Sequence, residues 1–286
     1  MPPADPPRPT RHRYTVPVAR EDLEVVAATL WAAGATGVWE QPGQLVAWFP
    51  TDDVADLPPG GEFRVEPDRD WQAEWKATIT PVRAGRFCVV PTWLADDHRA
   101  TDDEVTLVLD PGRAFGSGHH ATTAQCLALL DELTTDGDRV PGDLSGLRVA
   151  DIGCGSGVLA IAAATRGAHA VGCDVDPEAI AVTAENAGRN GVEVPATVGS
   201  VAAATELLGG LADVVLANLV TDTIAELAAE LIGALAPGGT LIASGIATDR
   251  AAVATDPLER AGVRLDEVRE LDGWTALRGV RTAGAA

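Results

Sequence analysis

From Arg13 to Val18 apolar and polar residues alternate with the period of a strand, and REDLEVVAATLWAA, residues 20–33, then spaces its apolar positions as one helix face before Gly34. GVWEQ and LVAWFP flank Pro42-Gly43 as the arms of a hairpin, and EFRVEP adds a further strand. Together these predict a small α+β unit over residues 1–67, a ferredoxin-like half-sandwich with Trp31, Trp39 and Trp48 in its core. Residues 68–100 read as a connecting segment, in which Trp71 and Trp75 share one helical face and dock it on a neighbour.

After Ala100 the pattern changes to short apolar runs alternating with helical periods: LRVADIG, VLAIAAATRG, AHAVGCD, PEAIAVTAENAGRN, ADVVLAN, TDTIAELAAELIGALAPGG and TLIASGI. Such alternation predicts, over residues 101–286, an α/β doubly wound, Rossmann-like sheet with helices on both faces. The last run, VRLDEVRELDGWTALRGV, departs from it and reads as an antiparallel hairpin turning at Asp272-Gly273.

Composition narrows the partners. An apolar fraction of 46% with 22% charged residues is that of a globular chain with a sizeable core. The longest uncharged run, Leu231 to Thr248, is broken by Pro237-Gly238-Gly239, so no membrane segment is expected. The leader MPPADPPRPTRHR lacks the apolar core of a secretory signal, and a cytoplasmic protein is expected. Cys88, Cys126, Cys154 and Cys173 form no C-x-x-C pair and read as reduced, buried thiols. A net charge of −21, with Lys76 the single lysine among 21 basic residues, works against a nucleic-acid partner and favours a basic protein or a small molecule.

Two glycine-rich stretches carry the candidate chemistry. In VADIGCGSGVLAIAAA, Gly153, Gly155 and Gly157 lie between a strand and a helix, where missing side chains let the backbone approach a ligand. Gly155 to Ala160 also satisfies a loose G-x-G-x-x-A, so a nicotinamide dinucleotide is the rival ligand. Asp151, two residues before the first glycine, repels a pyrophosphate and favours a ligand bearing an ammonium or sulfonium. Asp174, ending the next strand, is placed to accept hydrogen bonds from ribose hydroxyls. Both acids suit S-adenosyl-L-methionine, which has a ribose and a sulfonium but no phosphate; the bland alternatives are a cap from Asp151 and an N-cap from Asp176 before Pro177.

ANLVTDT places Asn218 and Leu219 at the end of a buried strand beside that loop, where the reacting atom is expected. An amine nucleophile, with a reference pKa of about 10.4, costs roughly 4–5 kcal/mol to deprotonate at neutral pH, and an apolar pocket lowers that cost. The Asn218 carbonyl is suited to orient such an amine. His119 and His120 diverge as neighbours in an extended loop and have no third ligand nearby, so no metal is expected.

The second stretch, LDPGRAFGSGHHATTAQCLALL, together with DWQAEWK, DIGCGSGVLAIAAATRGA, DVDPEAIAVTAENAGRNGV and ANLV, resembles the ribosomal protein L11 methyltransferase (PrmA) family. Ser117 stands where threonine is commoner in the family, and the first 67 residues match only loosely. The resemblance implies a class I methyltransferase fold, S-adenosyl-L-methionine as cofactor, and methylation of lysine side chains and the N-terminal amine of protein L11, recognised by the small N-terminal domain of a monomer. It further implies cofactor contacts from Thr123, Gly153, Asp174 and Asn218, with Phe115 and small neighbours such as Gly118 closing the site beside the methyl group. A dinucleotide-dependent oxidoreductase, a non-catalytic nucleoside-binding module, and a methyltransferase for another protein or a small amine are the competing readings.

Overall fold

The computed structural model describes residues 10–19, 22–67, 76, 78–111, 120–133 and 142–282. The chain divides into two compact units, Met1–Ile79 and Thr80–Ala286. Trp71 and Trp75 fall outside the described residues.

In the first unit, β1 (Thr10–Pro17), α1 (Leu23–Ala32), β2 (Gly37–Gln41), β3 (Gln44–Phe49) and β4 (Glu62–Pro67) follow the expected order. The strands lie β2-β3-β1-β4 with every pairing antiparallel. This is the strand order of a split β-α-β sandwich. Alternation along the strands sends Tyr14, Val16, Leu45, Ala47 and Phe49 to one face, where Leu30 of α1 covers them. The tryptophans do not fill that core: Trp39 is 58% and Trp31 53% exposed, and Trp48 is half-buried. The reason is register. Trp39 pairs with Val46 and Trp48 with Arg13, positions that point away from the Leu45–Ala47–Phe49 face, while Trp31 turns past Leu30 to the outer side of its helix.

The second unit begins with a three-stranded sheet, β5 (Val82–Ala84), β6 (Phe87–Pro91) and β7 (Val105–Leu109), in which all five residues of β6 are buried. Residues 80–100, read from sequence as connector, therefore belong to this unit. Between β6 and β7, Glu104 is covered by Arg83, His98 and Thr106; burial alone would raise its pKa, but the hydrogen bonds of His98 and Thr106 and the charge of Arg83 hold it at about 2. Cys88 lies within 4.8 Å of the ligating atoms of His98 and Glu104, a carboxylate whose charge Arg83 already balances.

The main sheet contains β8 (Arg148–Ile152), β9 (His169–Asp174), β10 (Ala196–Val198), β11 (Ala212–Asn218), β12 (Leu235–Ala247), β13 (Val263–Leu271) and β14 (Trp274–Arg281), in the spatial order β10-β9-β8-β11-β12-β14-β13. The first five strands are parallel, and β14 runs antiparallel between β12 and β13. The β13–β14 turn is Asp272-Gly273, both at positive φ, as a two-residue hairpin requires. The helices are α2 (Ala121–Asp131), α3 (Val158–Thr165), α4 (Pro177–Arg189), α5 (Val201–Leu208), α6 (Thr221–Gly233) and α7 (Ala251–Arg260). They cover both faces and give two separate cores, one centred on Leu127, Leu130, Ile161 and Leu216, the other on Val215, Ile224, Leu231 and Leu241. No helix among the described residues is long and apolar enough to cross a membrane.

Candidate functional site

The chain leaves β8 toward one side, through β9 and β10, then returns to place β11 on the other side of β8. This reversal opens a crevice at the carboxyl ends of β8 and β11, the position where open α/β sheets bind ligands. A cavity of about 610 Å³ lies there, within the roughly 300–1,000 Å³ usual for small-molecule sites. Four strand ends supply its wall: Ile152 and Gly153 at the end of β8, Asp174 and Val175 at the end of β9, Gly199 and Ser200 following β10, Asn218 and Leu219 at the end of β11.

The glycine loop is built by backbone necessity. Gly153 and Gly157 have φ of +73° and +78°; a Cβ at Gly153 would stand 2.3 Å from Leu219, and one at Gly157 2.7 Å from Thr183. The Gly153 and Cys154 amides both donate to the Cys173 carbonyl, at 2.8 and 2.9 Å, tying the loop to β9. Asp174 completes the tie, its Oδ2 accepting from the Gly155 amide at 2.9 Å and its Oδ1 from the Asp176 amide at 3.0 Å. Asp176 in turn caps α4, accepting from the Glu178 amide.

Asp151 sits behind the loop rather than on the cavity wall. It is 1% exposed, and its Oδ2 accepts from the Ala160 amide at 3.1 Å, capping α3, whose N-cap position is the side-chain-free Gly157. Burial, resisted by that hydrogen bond and reinforced by the Asp174 charge, pushes its pKa up to about 7. The four cysteines are all buried and free; burial raises Cys173, which reaches the cavity wall, to about 11.

Asn218 donates from Nδ2 to Thr123 Oγ1 at 3.1 Å, whereas its buried Oδ1 has no partner among the described residues. Thr123 is fully buried and reaches the site through Asn218, and the cavity wall at α2 is formed instead by His120 and Thr122. His120 caps α2, accepting from the Thr122 amide, and meets the Trp274 ring edge-on at 4.9 Å between centroids. Phe115, Gly118 and His119 lie outside the described residues.

The structure thus gathers Gly153, Gly155, Asp174, Asn218 and Leu219 around one cavity, with Asp151 and Thr123 directly behind it. Sequence reading missed Val175, Gly199, Ser200, Thr223, Glu226, Leu227 and Trp274. Gly199-Ser200 follows the third parallel strand, so the strand-end rule was signal enough to find it. Trp274 had no local signal, because β14 carries it across the sheet. Among the described lining residues the charged ones are Asp174 and Glu226, and none is lysine or arginine. Such a wall suits a cationic ligand and, among the described residues, presents no lysine or arginine to a pyrophosphate.

A seven-stranded sheet of this order with its antiparallel final pair, and a glycine loop answered by an acid on the next strand, defines a class I methyltransferase fold. The chain belongs to the ribosomal protein L11 methyltransferase (PrmA) family, whose model matches residues 52–282. It is 45% identical over 218 residues to the ribosomal protein L11 methyltransferase of Pelotomaculum thermopropionicum, covering 75% of this chain and 66% of that one. To the namesake of Deinococcus radiodurans it is 39% identical over 265 residues, covering 90% and 92%. Among solved structures, a ribosomal protein L11 methylase from Lactobacillus delbrueckii subsp. bulgaricus superposes with a TM-score of 0.62 at 27% identity, covering 72% of this chain and all of that one.

Proposed function

We propose that this chain transfers methyl groups from S-adenosyl-L-methionine to amines of ribosomal protein L11, its lysine side chains and N-terminal amine, in the cytoplasm. The observation that carries the reading is the Asn218 Oδ1, a buried acceptor at the crevice without a partner among the described residues, held by Thr123 beside a wall that carries the acids Asp174 and Glu226. Asp174 holds the ribose, Gly153 and Gly155 allow close backbone approach, and Asp151 balances the ligand's positive charge from beneath. The cofactor supplies a sulfonium methyl. Asn218 accepts a hydrogen bond from the substrate nitrogen and aims its lone pair, while Leu219 and Phe115 keep water from the reacting atoms.

The first unit, residues 1–67 in our reading, serves substrate recognition. Its support is the outer sheet face, where Trp39, Trp48, Arg13 and Arg64 share one side and α1 leaves them uncovered. The test is intact-protein mass spectrometry of purified L11 incubated with the enzyme and S-adenosyl-L-methionine. Mass gains in single-methyl steps are expected, with the rate lowered on the order of a hundredfold by Asn218→Ala. No gain with wild-type enzyme that still binds the cofactor would discard L11 as substrate.

A further inference from the structure

The glycine loop and the stretch beginning at Asp110 are more than forty residues apart in sequence and meet at α4. Asn186, fully buried, donates from Nδ2 to the Ser156 carbonyl in the middle of the glycine loop at 2.9 Å. Its Oδ1 accepts from the Asp110 amide at 3.2 Å and from Arg189 at 2.8 Å. One turn earlier Thr183 donates to the Gly155 carbonyl at 3.1 Å. One turn later Asn190 accepts from the Val108 amide and donates to the Val108 carbonyl, both at 2.8 Å, as a neighbouring strand would. One face of α4 is therefore a polar seam, hydrogen-bonded both to the glycine loop and to the end of β7.

The partners are backbone groups, so losing the amide would leave the Ser156 carbonyl and the Asp110 N–H without this bond, and no apolar side chain could replace it. The amide also sets geometry: its donor nitrogen and acceptor oxygen lie in one rigid plane and point along different edges of it, so fixing Ser156 also fixes Asp110. We infer that Asn186 is a positioning residue for the cofactor, joining the glycine loop to Asp110 so that a ligand bound on the first orders the second. This rests on the cofactor assignment proposed above. The far end of the same stretch is anchored separately, by His120 on Trp274.

The experiment is hydrogen exchange with and without saturating S-adenosyl-L-methionine, paired with calorimetry. In wild type, cofactor protects peptides over both 153–157 and 108–111. Asn186→Asp keeps the acceptor for Asp110 but sets an oxygen against the Ser156 carbonyl; affinity falls at least tenfold, and at saturation protection persists at the glycine loop but is lost at 108–111. Asn186→Ser, which removes the bridge without that repulsion, shows the same split if the aspartate variant folds poorly. Asn190→Ala loosens Val108 but leaves affinity within twofold of wild type, and the KM for the protein substrate is unchanged in every variant. Cofactor-induced protection at 108–111 surviving in the Asn186 variants would overturn the inference. Failure of wild type to bind cofactor at all would overturn the cofactor assignment and this inference with it.

Discussion

Two of the sheets of this protein, the seven-stranded and the four-stranded, are built from similar strands and put to opposite use. The seven-stranded sheet is covered by helices on both faces, so what it can offer a ligand is its carboxyl edge, where Gly153, Asp174, Ser200 and Asn218 converge. Among the described residues, α1 covers one face of the four-stranded sheet, and the other face carries Trp39 and Trp48 beside Arg13 and Arg64. A fully covered sheet makes a precise, small site; a half-covered one makes a broad surface. Sequence patterns treat the tryptophans of the second kind as core, because aromatic residues and strand alternation look alike whichever face is buried.

The contrast has consequences of graded size. The largest belongs to Asp151 beneath the glycine loop. Its folded-state pKa of about 7 lies above the 3.8 of an ordinary aspartate, so the folded chain binds more protons between those values and stability falls as pH rises through that window. Asp151→Asn keeps an acceptor for Ala160 and removes the charge; at about pH 8 it is expected to gain up to about 4 kcal/mol in the absence of cofactor, the gain shrinking toward pH 5. Thermal melts at both pH values check this, and an equal shift at both would place the charge elsewhere.

Next in size is Asp174→Ala, which removes both the proposed ribose contacts and the tie to the Gly155 amide. Cofactor binding should weaken by about 2 kcal/mol, measurable by calorimetry, and an unchanged affinity would refute the ribose placement. The smallest change is in stability at Trp39→Ser, within about 0.5 kcal/mol because the side chain is exposed. The same variant is expected to raise the KM for L11 several-fold with kcat and cofactor affinity intact. A large loss of stability instead would mean that the outer face is packed rather than presented.

The parallel sheet, the terminal hairpin and the glycine loop were legible because each rests on local chemistry: alternating periods, Asp272-Gly273, and glycines at left-handed φ. Asp174 and Asn218 were legible because they end strands. Less was legible wherever a role depends on a distant partner. Asp151 looks like a ligand contact until the side-chain-free N-cap at Gly157 shows what its carboxylate must also serve. Thr123 looks like a wall residue until its hydroxyl is found on Asn218. Asn186 and Asn190 read as ordinary helix polarity until Asp110 and Val108 arrive opposite them.

Strand direction decides which end of a strand can take part in chemistry at a sheet edge. The parallel strands deliver their last residues there, but β14 runs the other way and delivers its first, so Trp274 emerges from a two-residue turn directly onto the cavity, opposite Ala247 of β12. A single reversed strand thus gives the last strand of the sheet a place in a site otherwise composed of earlier residues. During synthesis, the wall of that site stays incomplete until β14, which follows every other described lining residue in the chain, has emerged.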